Sequence, residues 1–334
     1  MISPRLSKVV SGTRLTTGLI NSMIKRTEYA ADLLQQYKLI AGNQMYIEPH
    51  YDGTRVSYLQ PVGGGTTPTQ PISPAYRIVG TATVAGVNRG FVYDGSTFTD
   101  IFVPGSVGTV ANDIDGSNIV GFADFASGTP FRKGFLYNGS TFADIVFPGI
   151  SWDGPFIRGS MRANGIDGSN ITGYYQDNSF KVRGFLYNGS TYSNIIADPL
   201  AVFNQTVVEK ISGSNIVGTN FSTSPPSMFI YDGATFTYFN YPGASNNQAI
   251  GIDGSNIVGF ANDGVFKGFL YDGTTFTDII YPGATQTFAY GIYGLNIVGT
   301  ALVGGANRGF LYDGSTFTDI IYPGASATGA SGIG

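Results

Sequence analysis

The feature that most constrains this chain is that it resembles itself. The segment GFVYDGSTFTDI at Gly90 returns as GFLYNGSTFADI at Gly134, GFLYNGSTYSNI at Gly184, MFIYDGATFTYF at Met228, GFLYDGTTFTDI at Gly268 and GFLYDGSTFTDI at Gly309. Successive starts lie 44, 50, 44, 40 and 41 residues apart. A period of about 40–45 residues is what one four-stranded propeller blade requires. Each copy reads as four short strands, with Asp-Gly or Asn-Gly where a two-residue hairpin needs positive φ. A helical reading fails, because glycines interrupt every candidate 3.6-residue stripe.

The repeats carry an internal test of register. With Asp94-Gly95 as central turn residues, Tyr93 faces Ser96, Phe91 faces Phe98 and Arg89 faces Asp100. The same arithmetic sets Lys133 against Asp144, Lys267 against Asp278 and Arg308 against Asp319. In the fourth copy both charges vanish together, as Ser227 and Tyr238; in the third, Arg183 faces Asn194. Joint loss is the mark of a cross-strand ion pair. These basic residues are therefore expected to be structural partners and not a ring of ligand-binding groups.

The ends of the repeat region predict a blade count. The first copy opens at AYRIVGTA without the leading strand that later copies have, and the last runs on to GASGIG, which is that strand. Six blades, the first completed by the C-terminal strand, account for both ends and remove exposed sheet edges. An open stack of six sheets is the alternative. The expected fold is all-β: a six-bladed β-propeller over residues 75–334, preceded by a short helical module. The 48 glycines, 24 phenylalanines and 21 tyrosines suit short strands and tight turns, and 42% hydrophobic residues suffice for a sizeable core.

The motif NIVG…GFLYDGSTFT…PGA resembles the HAF-type extracellular repeat of bacterial secreted proteins, across about residues 75–334. The resemblance implies a β-propeller-like body and says little about activity. The N-terminal sequence departs from that family, having no continuous apolar run of the kind a signal peptide needs. Synthesis as a cytosolic chain without Sec export or a membrane span is the resulting expectation.

Residues 1–60 form a different module. In TGLINSMIKRTEYAADLLQQYKLIAG, Leu19, Met23, Arg26, Ala30, Leu33, Tyr37 and Ile40 follow 4,3,4,3,4,3 spacing, which predicts an amphipathic helix within residues 15–42. Such a helix needs a partner: copies of itself in a homo-oligomer, another protein, or the body of this chain. MYIEPHYDGTRVSYLQPV reads as a strand pair turning at Asp52-Gly53, and residues 61–74 as a Gly/Thr/Pro linker. The RTEYAADLLQQYKLIAG…YIEPHYDGTRVSY segment resembles N-terminal modules of tailed-bacteriophage virion proteins, across about residues 13–60. That resemblance implies attachment to a virion by the N-terminus and a displayed body.

Chemistry is scarce. Without cysteine, and with His50 as the sole histidine, most zinc sites and the usual Ser-His and Cys-His nucleophile systems are excluded. No cofactor or metal is expected. Seven basic against four acidic residues in 1–60 leave the head near +3 and the remainder near −7, and no Lys/Arg stripe suggests nucleic acid. Asp94, Asp232, Asp272 and Asp313 share their positions with Asn138 and Asn188, which favours turn geometry over calcium or catalysis, and Asp115, Asp167 and Asp253 take the same reading. The sequons at Asn138, Asn170, Asn188, Asn204 and Asn220 follow from the repeat pattern.

Departures from the repeat say more. The insertion ISWDGPFIRGSMRAN holds the sole tryptophan, Trp152, with Phe156, Arg158, Met161 and Arg162, and a second variant stretch is ADPLAVFNQTVVEK. Both read as blade-to-blade loops on one face, and the five residues are candidate ligand contacts; packing on neighbouring loops is the competing role. The functional expectation is a non-enzymatic virion structural protein, a fibre or decoration that displays a propeller for adhesion to a host-surface glycan or protein. A bacterial extracellular adhesion or matrix protein is one alternative. The other is a polysaccharide-acting enzyme using Asp153, Asp177 or Glu209.

Overall fold

The computed structural model describes residues 45–50, 53–58, 76–126, 131–149, 160–201 and 205–334. The predicted helix, with Leu19, Met23, Ala30, Leu33, Tyr37 and Ile40, lies outside the described residues, as does the linker. Of the head, Met45–His50 and Gly53–Tyr58 form an antiparallel pair, with His50 opposite Gly53. Gly53 is therefore a strand residue and not part of the turn that the sequence suggested.

Residues 75–334 form six four-stranded antiparallel sheets. Blades two to six each read inner, second, third and outer strand in chain order; blade two, for example, is Gly108–Asp115, Asn118–Phe125, Phe131–Tyr137 and Phe142–Ile145. Blade one takes Ile78–Val84, Val87–Tyr93 and Phe98–Ile101 from its own repeat and its inner strand, Ala327–Ile333, from the far end of the sequence. Beyond the strands, Arg77 and Gly334 exchange backbone hydrogen bonds of 2.9 and 3.1 Å. The propeller expected from the two incomplete ends is the one observed.

The core explains the repeat. The third strand of each blade supplies one of Phe91, Phe135, Phe185, Phe229, Phe269 and Phe310, preceded by glycine in every case but Met228-Phe229, and all six are fully buried. Six apolar clusters form, each drawing on two adjacent blades: Val258 and Ile279 of blade five, for instance, pack with Ala289, Ile292, Ile297 and Phe310 of blade six. No sheet buries a face alone, so the ring is the unit of folding. Gly259 shows why one position is glycine: a Cβ there would stand 1.9 Å from the Gln248 carbonyl oxygen and 2.8 Å from the Phe269 ring.

The hairpin register differs from the expected one by two residues. Tyr93 pairs with Phe98 and Phe91 with Asp100, so Asp94–Thr97 form a four-residue loop. The Asp94 carboxylate, which accepts from the Ser96 and Thr97 N–H groups at 2.9 and 2.8 Å, fills the loop interior. A two-residue shift preserves the strand faces, so Arg89–Asp100, Lys133–Asp144, Lys267–Asp278 and Arg308–Asp319 form at 3.3, 2.8, 3.1 and 3.3 Å, on the diagonal and not directly opposite. Arg183 turns instead to Asp177, at 2.6 Å. Asn138 and Asn188 accept the same loop hydrogen bonds as Asp94, so shape and not charge is what this turn requires.

The acids of the inner turns do something else. Asp115 accepts from the Gly168 N–H, Asp167 from Gly213 and Asp253 from Gly294, each reaching into the next blade. They are staples between blades, not local turn formers as the sequence suggested.

Candidate functional site

Departures from six-fold repetition are concentrated where the inner strands meet. Ala111, Ala163, Ala249, Ala289 and Ala330 are buried at one repeated position, with Val208 at the sixth. The positions on either side vary freely: Val110, Arg162, Val207, Gln248, Phe288 and Gly329 before it, Asn112, Asn164, Glu209, Ile250, Tyr290 and Ser331 after it; the next position is glycine in four blades, Gly165, Gly251, Gly291 and Gly332, and charged in two, Asp113 and Lys210. A β-bulge at these positions, seen between Ala111 and Asp113 and between Ala289 and Gly291, turns the strand there.

At the bottom of this region lies a buried ion pair. Lys210 of blade four reaches Asp113 of blade two at 2.9 Å and donates to the Ser331 carbonyl of blade one at 2.7 Å. Gly332 permits the approach: a Cβ there would lie 2.7 Å from Asp113 Cα. Burial raises the Asp113 pKa, against the opposing attraction of Lys210. The Ile166 N–H also donates to this carboxylate, at 3.1 Å.

Above it, Asn112 donates to Asn164 at 3.0 Å, and Asn164 donates to the Val208 carbonyl at 3.1 Å and to Glu209 Oε2 at 2.8 Å. Glu209 lines the axis. It keeps some solvent contact but is enclosed by protein on nearly every side, and this desolvation, opposed by Arg162 and Lys210, pushes its carboxyl up to about 7. Burial and then the Glu209 charge push the Tyr290 hydroxyl up to about 12.

The upper rim has two chemically distinct walls. Blades two and three supply Phe122 with the Arg132 guanidinium 4.2 Å and the Arg162 guanidinium 4.6 Å from its ring centre. Tyr174, opposite Arg162 in the sheet, lies 5.6 Å from the same guanidinium. Arg132 is held by Asp124 through two hydrogen bonds of 2.8 and 3.3 Å. Blades five and six supply Phe260, Phe266, Phe288 and Tyr290, with ring centres 5.0 Å apart for Phe260–Phe288, 5.5 Å for Phe266–Phe288 and 6.2 Å for Phe288–Tyr290. Arg162 and Phe288 occupy equivalent positions three blades apart in a ring of six, hence on opposite sides of the axis.

Of the five candidate contacts, the structure places Arg162 on this rim. Met161 is a correction: it is fully buried, and its sulfur accepts the Phe147 N–H at 3.1 Å. Thr109, Thr206, Thr287 and Thr328 hold the equivalent position and accept the corresponding loop N–H, so Met161 is a framework residue. Both variant stretches end in strand, at Met161–Asp167 and Thr206–Ser212, and are loops only in part. Trp152, Phe156, Arg158 and Asp153 lie outside the described residues, as does the side chain of His50. Asp177 is occupied by Arg183 and by the Ser179 and Lys181 N–H groups. Among the described residues no three His, Cys, Asp or Glu side chains converge as a metal site, and no helix is long and apolar enough to cross a membrane.

The fold and rim define a six-bladed β-propeller whose asymmetry is gathered at one end of its axis. No protein-family model and no curated protein matches the chain. Among solved structures it is similar to TolB from Acinetobacter baumannii, at 14% identity over 77% of this chain and 66% of that one, with a TM-score of 0.56. It is also similar to the Aleuria aurantia lectin bound to α-methyl-L-fucoside, at 14% identity, 75% and 95% coverage and a TM-score of 0.45. The SapL1 lectin bound to α-methyl fucoside follows at 13%, 75%, 97% and 0.49. At such identities the likeness is one of fold, and a propeller hosts many functions.

Proposed function

We propose that this chain is a non-enzymatic binding protein, a propeller displayed from a virion by its N-terminal module and adhering to a glycan on the host surface through the upper rim. The observation that carries the binding reading is the pairing of an aromatic wall, Phe266, Phe288 and Tyr290, with a polar wall, Arg162, Tyr174 and Glu209, across one axis. Sugars present apolar C–H faces and a rim of hydroxyls, and recognition sites meet both with aromatic rings and a few oriented polar groups. The carboxylates favour binding over hydrolysis. Glycoside hydrolysis commonly uses two carboxyl groups flanking one bond, whereas near Glu209 the acids Asp113 and Asp124 are each committed to a cation. The virion assignment rests on the heptad-like spacing of Leu19 to Ile40 and on the resemblance of residues 13–60 to phage virion modules.

The test is a glycan array and a host-cell binding assay with the full chain beside Phe288→Ala. Binding by the wild type and its loss in Phe288→Ala is the expected result. Equal binding by both removes the rim from the proposal, and release of reducing ends from a bound polysaccharide replaces it with the enzymatic alternative. Mass spectrometry of purified virions checks display, and absence of the chain from particles ends that part of the reading.

A further inference from the structure

Charge accounting narrows the ligand. Among the described arginines and lysines on the rim and axis, Arg132 is paired with Asp124 and Lys210 with Asp113. Among the described residues the Arg162 guanidinium meets no carboxylate at ion-pairing distance and makes no side-chain hydrogen bond, and its Nε–H is sealed from solvent without an acceptor. The guanidinium is held by the rings of Phe122 and Tyr174, and no carboxylate of the described residues closes on it. A desolvated cation without a counter-charge is costly, and burial accordingly lowers its pKa. Of the described acids, Glu209 acts on it most strongly; Asn164 already engages that carboxyl, and it makes no ion pair with Arg162.

Resting on the glycan reading of this rim, we infer that Arg162 is the anchor for an acidic sugar: a carboxylate-bearing residue of a polysaccharide whose carboxylate supplies the counter-charge that the described residues do not. A guanidinium fork matches a carboxylate in plane and spacing. The aromatic wall across the axis favours a sugar over an acidic peptide, because it offers ring faces to C–H groups and no further cation to a second acid. Glu209 then acts as a gate. Protonated, it leaves the rim cationic and able to donate a hydrogen bond; ionised, it competes with the ligand for Arg162. The other groups facing it are Asn164, Lys210, which Asp113 holds, and the neutral hydroxyls of Tyr174 and Tyr290. Affinity for the acidic sugar should therefore fall as pH rises through about 7.

Calorimetry with the full chain would compare an oligogalacturonide with its fully methyl-esterified form, the same backbone without charge. The expected result is binding of the acid form at about pH 5.5, weakened roughly tenfold by esterification or by Arg162→Met, and weakened again at about pH 8.5 in the wild type but not in Glu209→Gln. Equal binding of acid and ester overturns this inference while leaving the glycan reading intact. Binding of poly-glutamate in preference to the oligogalacturonide overturns it in favour of an acidic peptide. Absence of binding to every glycan on the array overturns both. A denaturation midpoint for Arg162→Met close to that of the wild type shows that lost binding is not lost folding.

Discussion

Individual residues carry more than one burden in this ring. Gly259 is a glycine because the Gln248 carbonyl and the Phe269 ring occupy the space of a Cβ. Gly259→Ala is expected to cost about 3 kcal/mol or more, read from urea denaturation. Glu209 makes stability depend on pH with an unusual sign. Its folded pKa, about 7, lies above its unfolded value of 4.5, so the native state holds the extra proton between the two. The contribution of Glu209 is fully present below about 4.5, declines as pH rises through this window and is gone above about 7. The decline should reach about 1–3 kcal/mol after allowance for residual solvent contact, and Glu209→Gln should flatten it. Asp94, Asp272 and Asp313 behave oppositely. Loop N–H groups, first among the causes, hold their carboxyls well below the usual range, so their contribution is present above about 3.8 and is lost on acidification below that. The two windows do not overlap, and a stability profile from pH 3 to pH 8 resolves them.

At the scale of the hairpin, the third-to-outer loop requires an acceptor oxygen and forms with or without a charge. Asp272 Oδ1 accepts from the Thr274 and Thr275 N–H groups at 2.8 and 2.7 Å, and Asn138 and Asn188 do the same in their own blades. Asp272→Asn is therefore expected to lose less stability near neutral pH than Asp272→Ala, which removes the acceptor altogether, both read from denaturant midpoints. A larger loss in Asp272→Asn than in Asp272→Ala would show that charge, not shape, holds the loop. The repeat also encodes contacts between elements of different blades. Tyr241, Tyr281 and Tyr322, the tyrosines of the YPGA motif, donate to Asp278, Asp319 and Asp100 of the following blade. Where that tyrosine is replaced by Val103, Phe147 or Ala197, the contact is absent or takes another form, such as Tyr238 donating to the Ala197 carbonyl at 2.7 Å.

For the whole molecule, closure is the decisive event. Ala330 and Ile333 of the closing strand sit in one cluster with Ile78, Ala82 and Phe91 of blade one and Val298, Leu311 and Ile320 of blade six. Deleting residues 327–334 opens that cluster and exposes the edge of Ile78–Val84. The expected outcome is a loss of about 5 kcal/mol or more with a tendency to associate, measured by denaturation and sedimentation. A synthetic peptide of the deleted strand should restore the monomeric behaviour by adding back as a strand; unchanged stability in the truncated chain would mean that the ring does not depend on its clasp.

The sequence by itself determined the period, the strand-and-turn grammar, the number of blades and the clasp, because each is written in local patterns that recur six times and expose their own exceptions. It also determined four of the ion pairs, through joint gain and loss at Arg89–Asp100 and its copies, but not Arg132–Asp124, Arg183–Asp177 or Lys210–Asp113. Tertiary structure decided the register, since the Asx loop holds four residues where the dipeptide suggested two. Tertiary structure also decided the site. Arg162, Tyr174, Glu209 and Phe288 are scattered over more than a hundred residues and three repeats, and no local pattern links them. The one signal was the free variation of the inner-strand positions flanking a constant small residue, and its meaning depends on knowing that those positions face the axis. Closure of the ring brings them together, because only around a common axis do equivalent positions of different repeats become neighbours.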